Sequence, residues 1–503
     1  MLDFTPLFRL YARSRRAALG RENAVANQSV QLQRLIARAR NTRFGRDHDF
    51  SRLRGVADFQ RTVPLRRYEE MWAQYWQGPF PHLTGTSWPG TIHLFAATSG
   101  TSSGSSKYIA VSTEMTRANL RAAFDILVHH LAHRPQSRVL GGRLFLLGGS
   151  THLSTLAPGI LSGDLSGIAI KRVPLPMRRY VFPPSAVAAE ADWDRRIEHI
   201  VRAAPAADIR MISGTPPWLL RLFERQGACA KEVYPHLELL VHGGVNFDPY
   251  RTRFEQFLDG RGELREVYAA SEGFVAIQDE TPEAGLRLIT DNGLFFEFVP
   301  VDELGQPVPA RHTIGDAELG VNYALAISNC AGLWAYLIGD TVRLISRDPP
   351  RIVITGRTSY FMSAFGEHLT GEEIERAVGM ATGTISAAIT DFAMGAMIPS
   401  VRGEVARHCY VVEFSAQPRP EALESFAKTV DMVLERSNDD YAHYRNDGRI
   451  APPCIVSVAP GMFAAWMKAR GRLGGQNKVP RVINDTAIFS GLLAFAQKFR
   501  NDQ

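Results

Sequence analysis

The chain has 503 residues, of which 45% are hydrophobic and 21% charged, and its formal net charge is +6. This composition excludes a disordered chain or a small disulfide-stapled scaffold, and the length predicts more than one globular domain. The four cysteines, Cys229, Cys330, Cys409 and Cys454, are far apart and form no C-x-x-C motif. They predict reduced thiols in the cytoplasm and no cysteine metal site.

The sequence predicts neither membrane insertion nor nucleic-acid binding. No run of about 18 apolar residues occurs, and the first residues lack the charged and apolar regions of a secretory signal. The N-terminal region is basic, but its arginines alternate with apolar residues at helical spacing, so we interpret them as solvated helix faces. These arginines include Arg13, Arg15, Arg16, Arg38, Arg40, Arg43, Arg66 and Arg67.

Residues 1–75 predict helices, and apolar residues recur at helical spacing through Gln31–Arg40. Two short apolar runs, His93–Ala96 and Tyr108–Val111, predict strands on either side of a loop. A helix is expected to begin after Ser112. We expect it to end at the pair His129-His130, which we interpret as structural or surface residues.

The loop between the two predicted strands is the first candidate binding site. Its glycines let backbone N–H groups point inward and form an anion nest, its hydroxyls add donors, and Lys107 adds a positive charge. It is not a Walker A loop, because a strand follows where that motif requires a helix. A serine- and glycine-rich surface turn is the alternative. The candidate residues are Ser99, Gly100, Thr101, Ser102, Ser103, Gly104 and Lys107.

From residue 138 to 300 short apolar runs alternate with helical stretches, which predicts an α/β architecture with a largely buried sheet. Residues 286–345 are strand-rich and predict an appended β unit. After Gly356-Arg357 a smaller α+β segment follows, so we predict domains at 1–356 and 357–503. The second domain is expected to contain helix Gly371–Met380, strand Tyr410–Phe414, helix Pro420–Arg436, strand Ile455–Val458 and helix Phe463–Ala469.

Two further polar segments follow predicted strands. Gly243-Gly244 permits the close approach of a flat ligand or of another chain, or else forms a tight turn. Tyr268, Ser271 and Glu272 combine an aromatic ring, a hydroxyl and a carboxylate. That ring can stack on a base, and a carboxylate can bind a hard cation such as Mg²⁺. An ordinary exit from a strand into a turn is the alternative.

Two more segments lie nearer the C-terminus. Asp340 is expected in a turn between two apolar strands, where a carboxylate can accept both hydroxyls of a ribose, although aspartate is also the usual turn residue. Lys478 lies in a glycine-rich loop suited to reaching into a site, and a plain surface loop is the alternative.

The order of these motifs resembles the adenylate-forming superfamily of acyl-CoA synthetases, peptide-synthetase adenylation domains and luciferases. Within it, Thr98–Ile109, Tyr268–Gly273 and Gln476–Arg481 most closely resemble the Gretchen Hagen family. These are the auxin-responsive acyl acid–amido synthetases of plants and their bacterial relatives. His242–Phe247 and Phe361–Glu367 resemble the bacterial type.

The resemblance implies a large N-terminal α/β adenylation domain with a β subunit and a smaller mobile α+β lid. It also implies a two-step reaction. A carboxylate attacks the α-phosphate of ATP to give an acyl-AMP and pyrophosphate, and the amine of an amino acid or another amine then displaces AMP. Transfer to a thiol of coenzyme A or a carrier protein is one alternative. A nucleotide-binding protein without turnover, or a simple ATP hydrolase, is another.

Residue roles follow from the same resemblance. The 99–107 loop would hold phosphates, Glu272 would bind Mg²⁺, and Lys478 would bridge the acyl carboxylate and the α-phosphate. The remaining ATP-binding assignments are Tyr268, Gly243 and Gly244 for adenine, Asp340 for ribose, Ser271 beside them and Arg357 at the hinge. The residues after Arg357 depart from the Asp and Lys found in many members of the superfamily. Apolar residues within Met211–Leu222 are candidates for the acyl pocket, but the acid and the amine stay unnamed.

Overall fold

The computed structural model describes residues 1–99, 106–148, 151–190, 192–247, 250–358, 361–362, 369–385, 387–397, 405–472 and 478–501. The chain divides into two compact units. The larger comprises Met1–Val245 and Phe257–Ile354, and the smaller comprises Asn246–Gln256 and Thr355–Gln503. The predicted division after residue 356 lies near the one at 354, but the sequence did not predict that Asn246–Gln256 would belong to the smaller unit.

The helices of the N-terminal two thirds of the chain are α1 Thr5–Leu19, α2 Ala24–Ala39, α3 Arg43–Asp47, α4 Val56–Thr62, α5 Tyr68–Met71, α6 Thr113–His133, α7 Leu165–Lys171, α8 Ser185–Ala188, α9 Trp193–Ala203, α10 Pro216–Gln226, α11 Ala230–Val233 and α12 Arg251–Leu258. The strands are β1 Leu94–Ser99, β2 Ser106–Val111, β3 Arg143–Leu147, β4 Ser154–Ala157, β5 Ile160–Gly163, β6 Val181–Phe182, β7 Ile209–Gly214, β8 Leu239–Gly243, β9 Glu263–Ala270, β10 Gly273–Ile277, β11 Leu286–Leu288, β12 Leu294–Pro300, β13 Asn322–Asn329, β14 Tyr336–Arg347 and β15 Pro350–Arg357.

A large mixed sheet runs in the order β12-β13-β14-β15-β11-β10-β9-β8-β7-β3-β6. Strands β6, β3, β7, β8 and β9 are parallel, and antiparallel pairs begin with β9 and β10. A parallel run with buried strands is the α/β arrangement that the alternating pattern predicted. The strand-rich stretch 286–345, expected as an appended unit, continues this sheet through backbone pairing.

Helix α6 begins as predicted, because Ser112 Oγ accepts a hydrogen bond from the Met115 N–H at 2.9 Å. It continues to His133, beyond the predicted end at His129-His130. His130 is fully buried between Glu263 Oε2 at 2.5 Å and Ser137 Oγ at 2.8 Å, which confirms a structural role.

Most of the N-terminal arginines are exposed, as the helical spacing predicted. Two are not. Arg15 pairs with Asp125 at 2.7 Å and with Asp291 at 2.8 Å, and Arg66 is only 6% exposed. The helical periodicity distinguished the buried face of each helix from its exposed face. It could not show which arginines contact residues far away in the sequence.

The smaller unit contains a sheet of order β20-β19-β18-β21. All five predicted elements are confirmed, with ends within a few residues of those expected. The sequence missed β18, whose alanines and glycine give little β signal. The elements are β16 Phe361–Met362, β17 Leu369–Thr370, α13 Gly371–Thr382, β18 Ile389–Met397, β19 Arg407–Phe414, α14 Pro420–Ser437, α15 Asp439–Asn446, β20 Ala451–Val458, α16 Met462–Ala469, β21 Val482–Ile483 and α17 Thr486–Asn501.

Over the described ranges, every helix is too short or too polar to cross a membrane. The four cysteines are free thiols, as their spacing predicted.

Candidate functional site

The carboxyl ends of the parallel strands place two of the predicted segments at one edge of the sheet. Strand β8 ends at Gly243, and its parallel neighbour β9 ends at Ala270. Ligands of open α/β sheets bind at this edge. A Cβ on Gly243 would lie 2.2 Å from the Val267 carbonyl oxygen. Close packing of β9 therefore requires glycine at 243, and the role of Gly243 and Gly244 toward adenine stays a prediction.

Ser271 and Glu272 form the turn from β9 into β10. Ser271 is buried, whereas Glu272 is half-buried. The Asn329 side-chain amide donates to the Glu272 carbonyl oxygen at 2.7 Å, which ties the turn to β13. The Tyr336 hydroxyl donates to Glu272 Oε1 at 3.4 Å. The predicted Mg²⁺ ligand is thus held in place by two polar contacts from other strands.

Tyr336 is the first residue of β14 and is 3% exposed. Burial raises the pKa of its phenol well above the ordinary value, and the negative charges of Glu272 and Glu69 and the nearby Tyr68 raise it further. Tyr336 is therefore neutral at physiological pH and acts as a hydrogen-bond donor. The charges of both carboxylates, Glu272 and Glu69, act on this phenol.

Asp340 does not lie in a turn, which corrects the sequence expectation. It lies inside the single long strand β14, at a β-bulge where Ile338–Asp340 face one residue of β13, Leu325. Gly339 has φ +94° within this bulge, a conformation that favours glycine. A bulge re-aims side chains without ending the strand. The Gly-Asp pair looked like a turn because bulges and turns require the same glycine.

Tyr268 and Asp340 contact each other. The Tyr268 hydroxyl donates to Asp340 Oδ2 at 2.6 Å, and Tyr268 is 6% exposed. Stacking of this ring on an adenine would therefore require its neighbours to rearrange. The adenine role of Tyr268 and the ribose role of Asp340 stay predictions.

The strands flanking the candidate phosphate loop are confirmed. β1 pairs with β2 antiparallel from Leu94 opposite Val111 to Ser99 opposite Ser106. Gly100, Thr101, Ser102, Ser103 and Gly104 lie outside the described residues, as does the side chain of Ser99.

Lys107 lies near the loop end of β2. Its Nζ is 2.9 Å from Glu69 Oε1 and 4.9 Å from the centroid of the Tyr68 ring. The Tyr68 hydroxyl in turn accepts a hydrogen bond from the Tyr108 backbone N–H at 2.9 Å.

Sequence reasoning missed the segment around Tyr68 and Glu69. Arg66 forms a parallel β-bridge with Tyr336, through Arg66 N–H to the Ala335 carbonyl at 3.0 Å and Leu337 N–H to the Arg66 carbonyl at 2.9 Å. This bridge brings α5, which begins at Tyr68, beside the start of β14. The only local signal was a tyrosine followed by two glutamates, which is typical of an ordinary helix start.

Two further predicted residues belong to the smaller unit. Arg357 ends β15 and is half-buried, and Lys478 is exposed outside any helix or strand. Three residues after Lys478, Arg481 is buried and forms an ion pair with Asp391. Arg481 also donates to the Tyr250 hydroxyl at 2.9 Å. The chain beyond Lys478 is thereby fixed to the body of the smaller unit.

In the larger unit, the described contacts pair Lys107 with Glu69, Tyr336 with Glu272 and Tyr268 with Asp340. Lys107 and donors at the strand ends suit the binding of an anion, and half-buried Glu272 suits a hard cation. Among the residues that the structure covers, no group of three or more His, Cys, Asp and Glu side chains could hold a metal ion on its own.

Comparison with known proteins gives family matches along most of the chain. The GH3 family N-terminal, central and C-terminal domains match residues 16–262, 287–357 and 372–487. Indole-3-acetic acid-amido synthetase GH3.8 from Oryza sativa subsp. indica is 25% identical over 264 residues, covering 49% of this chain and 43% of the relative. The matched region therefore spans less than half the length of that relative.

Solved structures share the fold. The acyl acid amido synthetase AtGH3.15 in complex with 2,4-DB has a TM-score of 0.80 at 17% identity, over 98% of this chain and 97% of that one. 2-Hydroxyisobutyryl-CoA ligase in the postadenylation state, in complex with R3-HIB-AMP, has a TM-score of 0.61 at 16% identity, over 93% and 91%. These similarities show the expected fold, with a large N-terminal domain and a smaller C-terminal domain.

Proposed function

Because this chain belongs to the GH3 family, we propose that it is an ATP-dependent acid–amine ligase. It adenylates a small carboxylic acid, releasing pyrophosphate, and transfers the acyl group to the amine of an amino acid or a related amine. The amide product leaves with AMP. The names of the relative and of the solved structure above support this reaction class, and they leave the acid and the amine of this chain open.

One observation carries the proposal. In the larger unit, Lys107 of the candidate loop pairs with Glu69, and Tyr336 donates to Glu272, the candidate magnesium ligand. Adenylation develops negative charge on the α-phosphate and on the departing pyrophosphate. Donors and cations placed in advance stabilise such charge best. A cation at the end of a serine-rich loop and a carboxylate able to share Mg²⁺ with the substrate are groups that suit this chemistry.

The residues fit a magnesium ion held jointly with ATP. Mg²⁺ commonly takes one or two protein carboxylates and completes its shell with water and phosphate oxygens. Glu272 offers one half-buried carboxylate, oriented by Tyr336. When bound, the ion would neutralise phosphate charge. The hydrogen bond from Tyr336 would fix the orientation of the Glu272 carboxylate. Asp340 would accept hydrogen bonds from the ribose hydroxyls.

Lys478 is the proposed residue of the smaller unit that bridges the acyl carboxylate and the α-phosphate. Support comes from its exposure and from the buried anchor at Arg481. Arg357 is the proposed hinge, supported by its location just beyond the division between the two compact units. A cytoplasmic location is proposed from the free thiols alone.

A pyrophosphate-release screen tests the function. The purified chain is incubated with MgATP and a panel of carboxylic acids, first alone and then with amino acids, other amines or coenzyme A. We expect acid-dependent pyrophosphate release that amines stimulate, together with an amide of the expected mass. Stimulation by coenzyme A in place of amines would identify a thioester-forming ligase. Release of orthophosphate without dependence on acid would identify a hydrolase and contradict the proposal.

A further inference from the structure

Glu69 is the one acidic partner that the described contacts give to Lys107, and no sequence motif assigned it a role. Its Oε1 lies 2.9 Å from Lys107 Nζ, while the Lys107 side chain is 22% exposed and that of Glu69 58%. Partial burial alone would raise the pKa of the Glu69 carboxyl, but the hydrogen bond and the charge of Lys107 hold it below the ordinary value. The carboxylate is therefore ionised at neutral pH and pairs with the ammonium.

The Lys107 ammonium is also held from a second side. It lies 4.9 Å from the centroid of the Tyr68 ring, within the range of a cation–π contact. That ring is fixed, because its hydroxyl accepts from the Tyr108 N–H at 2.9 Å and its face stacks on Trp72 with centroids 5.8 Å apart. Burial raises the pKa of Tyr68 to about 12, so the ring carries no competing charge.

The fold of α5 does not need the Glu69 carboxylate. The next residue, Glu70, caps this helix by accepting the Arg67 backbone N–H at 2.7 Å. The β-bridge between Arg66 and Tyr336 sets the position of the segment through backbone atoms. The Glu69 carboxylate is directed instead at Lys107, the lysine that closes the candidate phosphate loop.

We propose that Glu69 is a positioning residue that holds the Lys107 ammonium at the end of the phosphate loop before ATP arrives. This role rests on the proposed function. A lysine side chain has four rotatable bonds, and ordering the side chain on binding costs conformational entropy. Glu69 and the Tyr68 ring already restrict the Lys107 side chain before ATP binds. Binding of the nucleotide therefore loses less conformational entropy. The phosphates then meet a cation that is already in place.

Steady-state kinetics of Glu69→Ala and Glu69→Gln test the role, with Glu70→Gln as the matched control. We expect the KM for ATP to rise about fivefold in Glu69→Ala, with a smaller rise in Glu69→Gln, whose amide oxygen can still accept a hydrogen bond. The KM for the acid and the kcat at saturating ATP should stay near those of the wild type. Glu69→Ala should add nothing on a Lys107→Ala background. An unchanged or lower KM for ATP in Glu69→Ala overturns the proposal.

A second readout is independent of turnover. Trace labelling with acetic anhydride, read by mass spectrometry, reports how freely the Lys107 amine reacts. We expect severalfold faster labelling of Lys107 in Glu69→Ala and no change in Glu70→Gln. Equal labelling in wild type and Glu69→Ala overturns the proposal, even where the enzyme is active. Faster labelling of Lys107 in Glu69→Ala, combined with a wild type that releases no pyrophosphate, would leave the contact established and reject the proposed function instead.

Discussion

The Tyr268 hydroxyl donates to Asp340 Oδ2 at 2.6 Å and joins two side chains that the sequence assigned separately to adenine and to ribose. The bond links the end of a parallel strand to the bulge in β14. Tyr268 is buried, so its hydroxyl orients the Asp340 carboxylate from the interior of the protein. The two residues are thus energetically coupled, and neither can be replaced without affecting the other.

The first prediction follows from this coupling. Asp340→Ala is expected to raise the KM for ATP about tenfold or more, because it removes a charged acceptor of ribose hydrogen bonds. Tyr268→Phe should raise it less, since only the orientation of Asp340 is lost. In the double variant, the loss should be smaller than the combined losses of the single variants. Steady-state kinetics with ATP varied measures this, and full activity of Asp340→Ala at low ATP would refute the ribose assignment.

Lys478 is expected to act in the chemical step. Lys478→Ala should slow adenylation by about two orders of magnitude or more, because a charge contact made in the transition state is worth about 3 kcal/mol. Acid-dependent exchange of labelled pyrophosphate into ATP isolates that half-reaction. Lys498→Ala, which removes another exposed lysine of the smaller unit, is the control. Unchanged exchange in Lys478→Ala would disprove the role.

A buried ion pair should dominate the stability of the region around β12. Arg311 meets the fully buried Glu297 through two bonds, Nε to Oε1 at 2.9 Å and Nη2 to Oε2 at 2.8 Å. Arg311→Met leaves a buried carboxylate without its partner and should cost about 3–5 kcal/mol. The exposed pair Arg61–Asp58 provides the control, since Arg61→Met should cost about 1 kcal/mol or less. Urea unfolding followed by fluorescence measures both, and equal effects would contradict the prediction.

Acid should destabilise the larger unit through His129. Burial lowers the pKa of this imidazole to about 4; the negative charge of Asp279 opposes this shift, and the positive charges of Arg287, Arg265 and His133 add to it. His129 Nε2 has no hydrogen-bond partner among the described residues. Because the unfolded chain binds a proton near pH 6.5 and the folded one only near pH 4, stability falls as the pH is lowered between these values. The loss should approach about 3 kcal/mol.

Comparing pH-dependent unfolding of the wild type with that of His129→Gln tests this assignment. The variant should lose this part of the pH dependence, whatever its stability at pH 7. His443→Gln replaces a histidine whose side chain is 64% exposed, and it should keep the wild-type slope. An identical slope in His129→Gln and wild type would show that other groups titrate.

Local pattern was enough to identify many elements. The strands on both sides of the serine-rich loop, the cap at Ser112 and the five predicted elements of the smaller unit lie where apolar periodicity and capping residues predicted them. These features depend on neighbours in sequence, and a single chain reports them directly. Strand β18 was missed because Asp391, two alanines and a glycine interrupt its β-forming residues, and pairing with β19 and β21 stabilises it as a strand.

The order of short motifs along the chain determined the family, the adenylate-forming architecture and the list of candidate residues. Each motif consists of residues that are adjacent in the sequence, so the order of the motifs can be recognised without the structure. Only the tertiary structure decided that Asp340 lies on a bulge, that it pairs with Tyr268, and that Glu69 pairs with Lys107. The Tyr268–Asp340 contact joins two strands of the large sheet, and the Glu69–Lys107 contact joins a helix to a strand of another sheet. Their geometry depends on register and burial, which no local pattern encodes.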